Sequence, residues 1–213
     1  MKRKLHVKGW HIFLFCLIGC APTKPDTPVP ESRFVKLDSK GRELDPKAGP
    51  WSCVGDKKTG LIWEVKSANE GLQFARNTFS WYADGLGVPK RGACARDHVG
   101  LAWVEYDYCD TQDLIRHLNQ RQLCGRADWR LPSSSELRAM MFKHDFPGER
   151  RVFFSLFPRI IHAPYWTSES KVVQDKLGVL TIHMATGEEY WRGAAGPVNA
   201  IAVSPSYARE SFK

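Results

Sequence analysis

Four cysteines, Cys53, Cys94, Cys109 and Cys124, carry the chemistry that spacing constrains best in this 213-residue chain. No two of them stand at C-x-x-C spacing, from which structural zinc sites are usually built, so no metal ligand is assigned. The chain has six cysteines, of which Cys16 and Cys20 belong to the N-terminal segment; the even count of four that remains, in an oxidising compartment, points instead to two disulfides, for which three pairings exist. If the segment from Asp110 to Gln122 is helical, Cys109 and Cys124 stand roughly 22 Å apart, beyond the reach of a disulfide. Two pairings stay open, and the preferred one joins Cys94 to Cys109 and Cys53 to Cys124.

Catalysis needs a nucleophile with a base, or a metal with open coordination. The chain has no Gly-x-Ser-x-Gly, His-Glu-x-x-His, phosphate loop or calcium loop. Its histidines are scattered, and His144 and Asp145 are chain neighbours that face apart. No catalytic residue, cofactor or enzymatic activity is expected. Binding is better supplied. Trp166, Tyr190 and Trp191 fall on or near the last strands and can stack on a sugar, while Arg192, Arg150, Arg151 and Arg159 can pair with sulfate or carboxylate groups.

These residues must be positioned by a corner at Asp128-Trp129-Arg130-Leu131-Pro132. Pro132 pushes Leu131 out of the helical region, and Ser133 with Glu136 then has the spacing of a helix N-cap and its capping box. In an extended segment Trp129 and Leu131 share one face, and Asp128 and Arg130 share the other and can pair. A buried structural corner is the expectation. Upstream, Leu114, Ile115, Leu118 and Gln122 recur at helical spacing behind Asp110 or Thr111 as cap, with Gly125 as the stop. Downstream, Leu137, Met140 and Met141 form the apolar face of a second helix.

Strands are expected at Thr59 to Lys66 and Thr78 to Tyr82, then at Tyr165 to Ser170, Leu177 to Met184, Glu189 to Arg192 and Val198 to Ser204. Thr186-Gly187-Glu188 reads as a hairpin turn, and Asp84 to Ala95 as one long loop. Helices in the middle and strands at both ends make an α+β domain.

The N-terminus reads as a secretory signal: Lys2, Arg3, Lys4 and Lys8, then an apolar run from Ile12 to Ile18 too short to span ~30 Å of hydrocarbon. Leu17-Ile18-Gly19-Cys20 resembles the lipobox of bacterial lipoproteins, in which Cys20 would receive a diacylglyceryl group. Several acyl chains on one residue hold a protein at a membrane. Ala21 rather than Asp after the cysteine implies the outer membrane. Losing residues 1–19 removes four cations and no acid, so the formal charge falls from +8 to +4 and nucleic acid is not an expected partner. The chain then divides into a signal peptide (1–19), a Pro-rich tether (20–50), a domain (51–205) and a tail (206–213). Within the tether, Phe34 to Leu37 reads as a short strand that docks on the domain.

Asp128-Trp129-Arg130-Leu131-Pro132 with Glu136-Leu137 resembles the signature of the Legionella-collagen-like (Lcl) protein C-terminal domain family, found in bacterial envelopes. Other pieces follow in the family's order: Cys53 to Lys66 around Thr59-Gly60-Leu61-Ile62-Trp63, Thr78 to Tyr82, Cys109 to Gln112, Asn119 to Gly125, and Tyr165 to Ser168. The resemblance covers about Phe34 to Val203. It implies a disulfide-bonded, C-type-lectin-like fold with two helices flanking small antiparallel sheets, and the corner also resembles that of the formylglycine-generating-enzyme type of this fold. The adhesin that names the family binds sulfated polysaccharides through this domain, so anionic glycans are the partners the resemblance implies; the alternatives are a structural or assembly component of the envelope that contacts envelope proteins and, less favoured, an enzyme of unknown chemistry. The chain departs from the family near its end, where Val198 to Val203 lacks the usual arginine.

Overall fold

β-Branched and aromatic residues flanked by tight turns build the first sheet. The computed structural model describes residues 33–69, 71–95, 106–141, 154–205 and 207. Cys20, Arg150, Arg151, His144 and most of the tail lie outside them. Strands β1 (Phe34–Leu37), β2 (Cys53–Asp56) and β3 (Leu61–Glu64) pair antiparallel, with Leu37 opposite Cys53 and Val54 opposite Trp63. All of β2 and β3 is buried, because the sheet has a core on each side. Cys53 and Ile62 face one core with Phe79, Leu114 and Trp166, while Val54, Leu61 and Trp63 face another with Leu137, Tyr165 and Ile182. Covering both faces removes the clean alternation of a half-buried strand.

β1 is the strand expected at Phe34 to Leu37, docked on the domain, and the ordered structure extends through the Pro-rich residues around it. Arg33 donates to Asp56 at 2.8 and 2.6 Å and to the Ala139 carbonyl at 2.7 Å. The Lys36 ammonium caps the carbonyls of Pro46 and Ala48 and stands 4.0 Å above the Trp51 ring. Residues 33–50 are therefore part of the folded domain, although their composition reads as linker.

The stretch expected as one loop contains a tight hairpin and a strand instead. β4 (Tyr82–Ala83) turns into β5 (Leu86–Gly87) through Asp84 and Gly85, both at positive φ. β6 (Gly92–Ala95) pairs with β7 (Tyr106–Cys109). Gly92 is required there, since a Cβ would stand 2.2 Å from the Thr78 carbonyl oxygen.

α1 (Thr111–Gln120) opens on a reciprocal capping box between Asp110 and Asp113 and buries Leu114 and Leu118. It ends two residues before the expected point. Gln122, at φ 48, takes the left-handed position assigned to Gly125, and Gly125 closes a 3-10 turn that presents Cys124. α2 (Ser134–Met140) starts on the expected Ser133–Glu136 box and buries Leu137 and Met140.

A second sheet follows, ordered β10-β9-β8. β8 (Pro164–Val173) and β9 (Lys176–His183) meet at a two-residue turn, and β10 (Glu189–Gly193) forms the edge. Of the expected strand at Val198 to Ser204 only β11 (Val203–Ser204) is regular, pairing with β3. Val198 and Asn199 make single bridges to Phe79 and Tyr165. The architecture is α+β, with helices between two groups of strands. Among the described residues no helix is long and apolar enough to cross a membrane.

Candidate functional site

The corner is a strut. Trp129 and Leu131 are buried as their period-two spacing requires. Asn119 brackets Trp129, accepting from its N–H at 2.7 Å and donating to its carbonyl at 3.1 Å. Arg130 exchanges two backbone bonds with Val203, and the Pro132 carbonyl accepts from Ser168, so the corner ties α1 to both sheets. The expected Asp128–Arg130 pair is replaced. Arg130 forms a bidentate pair with Glu136 at 2.8 and 2.6 Å, while Asp128 takes Arg126 and the Ser204 hydroxyl. The capping box folds Glu136 back against Ser133, which offers Arg130 two oxygens in the planar geometry it prefers. The Arg130 hydrogen bonds, foremost, and those from Ser133 hold the Glu136 carboxyl below its usual range.

The expected ligand residues do not form one site. Trp166 is 0% exposed and donates its indole N–H to the Phe79 carbonyl at 2.7 Å, so it is core and has no face for a sugar. Tyr190 and Trp191 are 44% and 45% exposed. As neighbours on β10 they point to opposite faces of its sheet. On one face the Lys171 ammonium lies 3.8 Å above the Trp191 ring. On the other the Arg192 guanidinium stands 5.9 Å from the Tyr190 ring, and the Tyr190 hydroxyl donates to Glu188 at 2.8 Å. That bond is the main cause of a lowered Glu188 carboxyl and a raised Tyr190 phenol. Arg159 is exposed on a separate loop.

Sequence reasoning missed Lys171 and Gly178. Lys171 reaches Trp191 because Gly178 lies between them in the register, opposite both Lys171 and Gly193. With no side chain, Gly178 leaves a bed for the indole, whose edge is 3.6 Å from where its Cβ would be. Only the pairing of three strands brings these residues together; a hairpin through Val173 and Lys176 was the signal to look for.

Two cavities flank α1. One, of about 480 Å³, lies against β6 and β7, is floored by Cys94 and Cys109, and is rimmed by Lys90, Asp113 and His117. Lys90 is ion-paired to Asp113. The other, of about 380 Å³, lies between α1, the β4–β5 hairpin and the corner. Arg116 borders both. Among the described residues no three His, Cys, Asp or Glu side chains converge as a metal site would need.

The disulfides take the preferred pairing, Cys53 with Cys124 and Cys94 with Cys109. The first pins the turn after α1 to β2, and the second clamps β6 to β7. Searches of curated proteins and of solved structures return no match to the chain. The sequence profile of the Lcl C-terminal domain matches residues 52–204, which contain the corner, both disulfides and every strand but β1. The chain belongs to the Lcl C-terminal domain family.

Proposed function

We propose that this is a non-catalytic envelope protein, lipid-anchored through Cys20, whose lectin-like domain binds anionic glycans through the β10 strip. The observation that carries this reading is the pairing of exposed aromatic rings with cations on both faces of β10: Trp191 with Lys171, and Tyr190 with Arg192. A sulfate or carboxylate draws the ammonium or guanidinium off the ring it covers, and the aromatic face so bared receives the C–H side of the sugar. Membership of the Lcl family supports the same class of ligand.

The test is binding of the oxidised protein to arrays of sulfated and neutral glycans over a range of salt. Sulfated glycans are expected to bind, to weaken as salt rises, and to be lost in the Lys171→Ala, Trp191→Ala double variant. Retention of binding by that variant overturns the assignment of the strip. The anchor is tested separately: metabolically supplied palmitate labels the wild-type protein and leaves Cys20→Ser unlabelled. A second reading, an assembly component of the outer membrane, is supported by the position of β10 at a sheet edge, where an extended partner strand can add. It is favoured if a folded protein binds no glycan and crosslinks through β10 to an envelope protein.

A further inference from the structure

We propose that the cavity between α1, the β4–β5 hairpin and the corner is a second binding site, which takes a neutral pyranose ring. Its volume of about 380 Å³ lies in the range of small-ligand sites. Its wall is apolar, with half-buried Tyr82 and Ile115 beside Leu131. Its rim is polar and has bonding capacity to spare. Ser168 is exposed and its hydroxyl has no partner among the described residues. Asp84 is exposed, and among the described residues its carboxylate has one long contact, of 3.5 Å from the Gln112 amide. Arg116 is exposed and 3.6 Å from Asp113. An apolar wall facing a carboxylate and a guanidinium suits a ring that has C–H groups on its face and vicinal hydroxyls on its edge. The carboxylate accepts hydroxyl hydrogens and the guanidinium donates to hydroxyl oxygens.

Charge separates this site from the β10 strip. Arg130 is occupied by the two oxygens of Glu136, and Arg116 faces Asp113. Asp84 adds a carboxylate at the mouth. A polyanion is therefore not attracted here, whereas a neutral polyol is not opposed.

The site is preformed by bonds among its three walls. Thr111 on α1 accepts from the Tyr82 N–H at 3.0 Å and donates to the Tyr82 carbonyl at 2.8 Å, locking hairpin to helix. Ser168 lies where the β8–β9 register shifts between Trp166 and Ser170. Such an irregularity can re-aim a side chain, and Ser168 is part of the cavity lining. Its N–H is held by the Pro132 carbonyl at 2.9 Å.

The experiment uses the full chain in detergent with both disulfides formed. Methyl glycosides of glucose, galactose, mannose, rhamnose, fucose, N-acetylglucosamine and N-acetylgalactosamine are tested by saturation-transfer NMR and calorimetry, with glycerol as a control polyol. At least one glycoside is expected to bind, with an affinity that stays constant as salt is raised well past the point at which exposed charges are screened. Asp84→Asn weakens it roughly tenfold and Ser168→Ala roughly fivefold, the scales of one lost hydrogen bond from a charged and from a neutral group. Asparagine tolerates the positive φ of Asp84, and both residues are exposed, so both variants fold. Trp191→Ala leaves the glycoside affinity unchanged, which separates failure here from failure of the β10 strip. The assignment is overturned if no glycoside binds, if glycerol binds as well as the glycosides, if binding falls with salt, or if neither rim variant weakens it.

Discussion

Lys66 and Glu64 form a buried ion pair, 2.9 Å apart, with Glu64 also accepting from the Ala202 N–H at 3.0 Å. Breaking such a pair from one side strands a charge away from water. Lys66→Met is expected to cost roughly 3–5 kcal/mol in urea unfolding, and the Glu64→Gln, Lys66→Met double variant to recover most of it. Recovery follows because the glutamine oxygen can still accept from Ala202 while no net charge is buried. At the corner, the same scale shows what a sequence conceals. The Ser133–Glu136 box is legible because its spacing is local, and so is the burial of Trp129 and Leu131. The partner of Arg130 is not legible, since Asp128 is nearer along the chain and only the folded cap brings Glu136 within reach.

Gln174 and Asp175 join β8 to β9 with φ of 49° and 59°. Two left-handed residues in a two-residue hairpin make a type I′ turn, whose preferred sequence is Asn-Gly. Gln174→Asn with Asp175→Gly is expected to stabilise by about 1 kcal/mol, a rise of about 2–4 °C in Tm. Because the turn lacks that signal, β8 runs on to Val173, beyond the Ser170 at which the sequence suggests it ends, and the bed for Trp191 goes unseen. The two helices are legible because their caps and apolar spacing lie within a few residues. β2, with Gly55 and Asp56 in four positions, carries no strand signal and is held by its neighbours. The disulfides differ in the length of chain they close, 71 residues for Cys53–Cys124 and 15 for Cys94–Cys109. Double serine replacement is expected to cost about 4 kcal/mol for the first and about 3 kcal/mol for the second, compared by urea midpoints.

Across the whole molecule, several carboxylates are held ionised by donors. Burial alone would raise Asp56 and Glu169, but hydrogen bonds from Arg33 and Thr59, and from Thr167 and Ser134, hold both below the usual range. Arg130 does the same for Glu136. A depressed folded value stabilises above the ordinary carboxylate pKa and is lost as pH falls through the folded value. Unfolding free energy from these groups is therefore expected to be flat from pH 7 to about 5 and to drop below about 4.5, in denaturant titrations with both disulfides intact. The α+β class is legible from the order of elements. The docking of Phe34 to Leu37 is legible as a short strand, but the order of the whole stretch 33–50 is not, because it depends on Arg33 bonds to the distant Asp56 and Ala139 and on Lys36 bonds that fold the segment back on its own Pro46 and Ala48 carbonyls. The place of β1 also fixes how the molecule answers force. A pull between the N-terminus and β10 peels residues 33–52 until it meets Cys53, opposite Leu37 at the end of β1. The load then crosses to Cys124, and residues 54–123 are shielded from stretching. At ~3.3–3.6 Å per residue the extension released beforehand is at most about 70 Å. α1 and the β4–β5 hairpin, two walls of the pyranose cavity, lie inside the shielded span and keep their shape in a domain under tension.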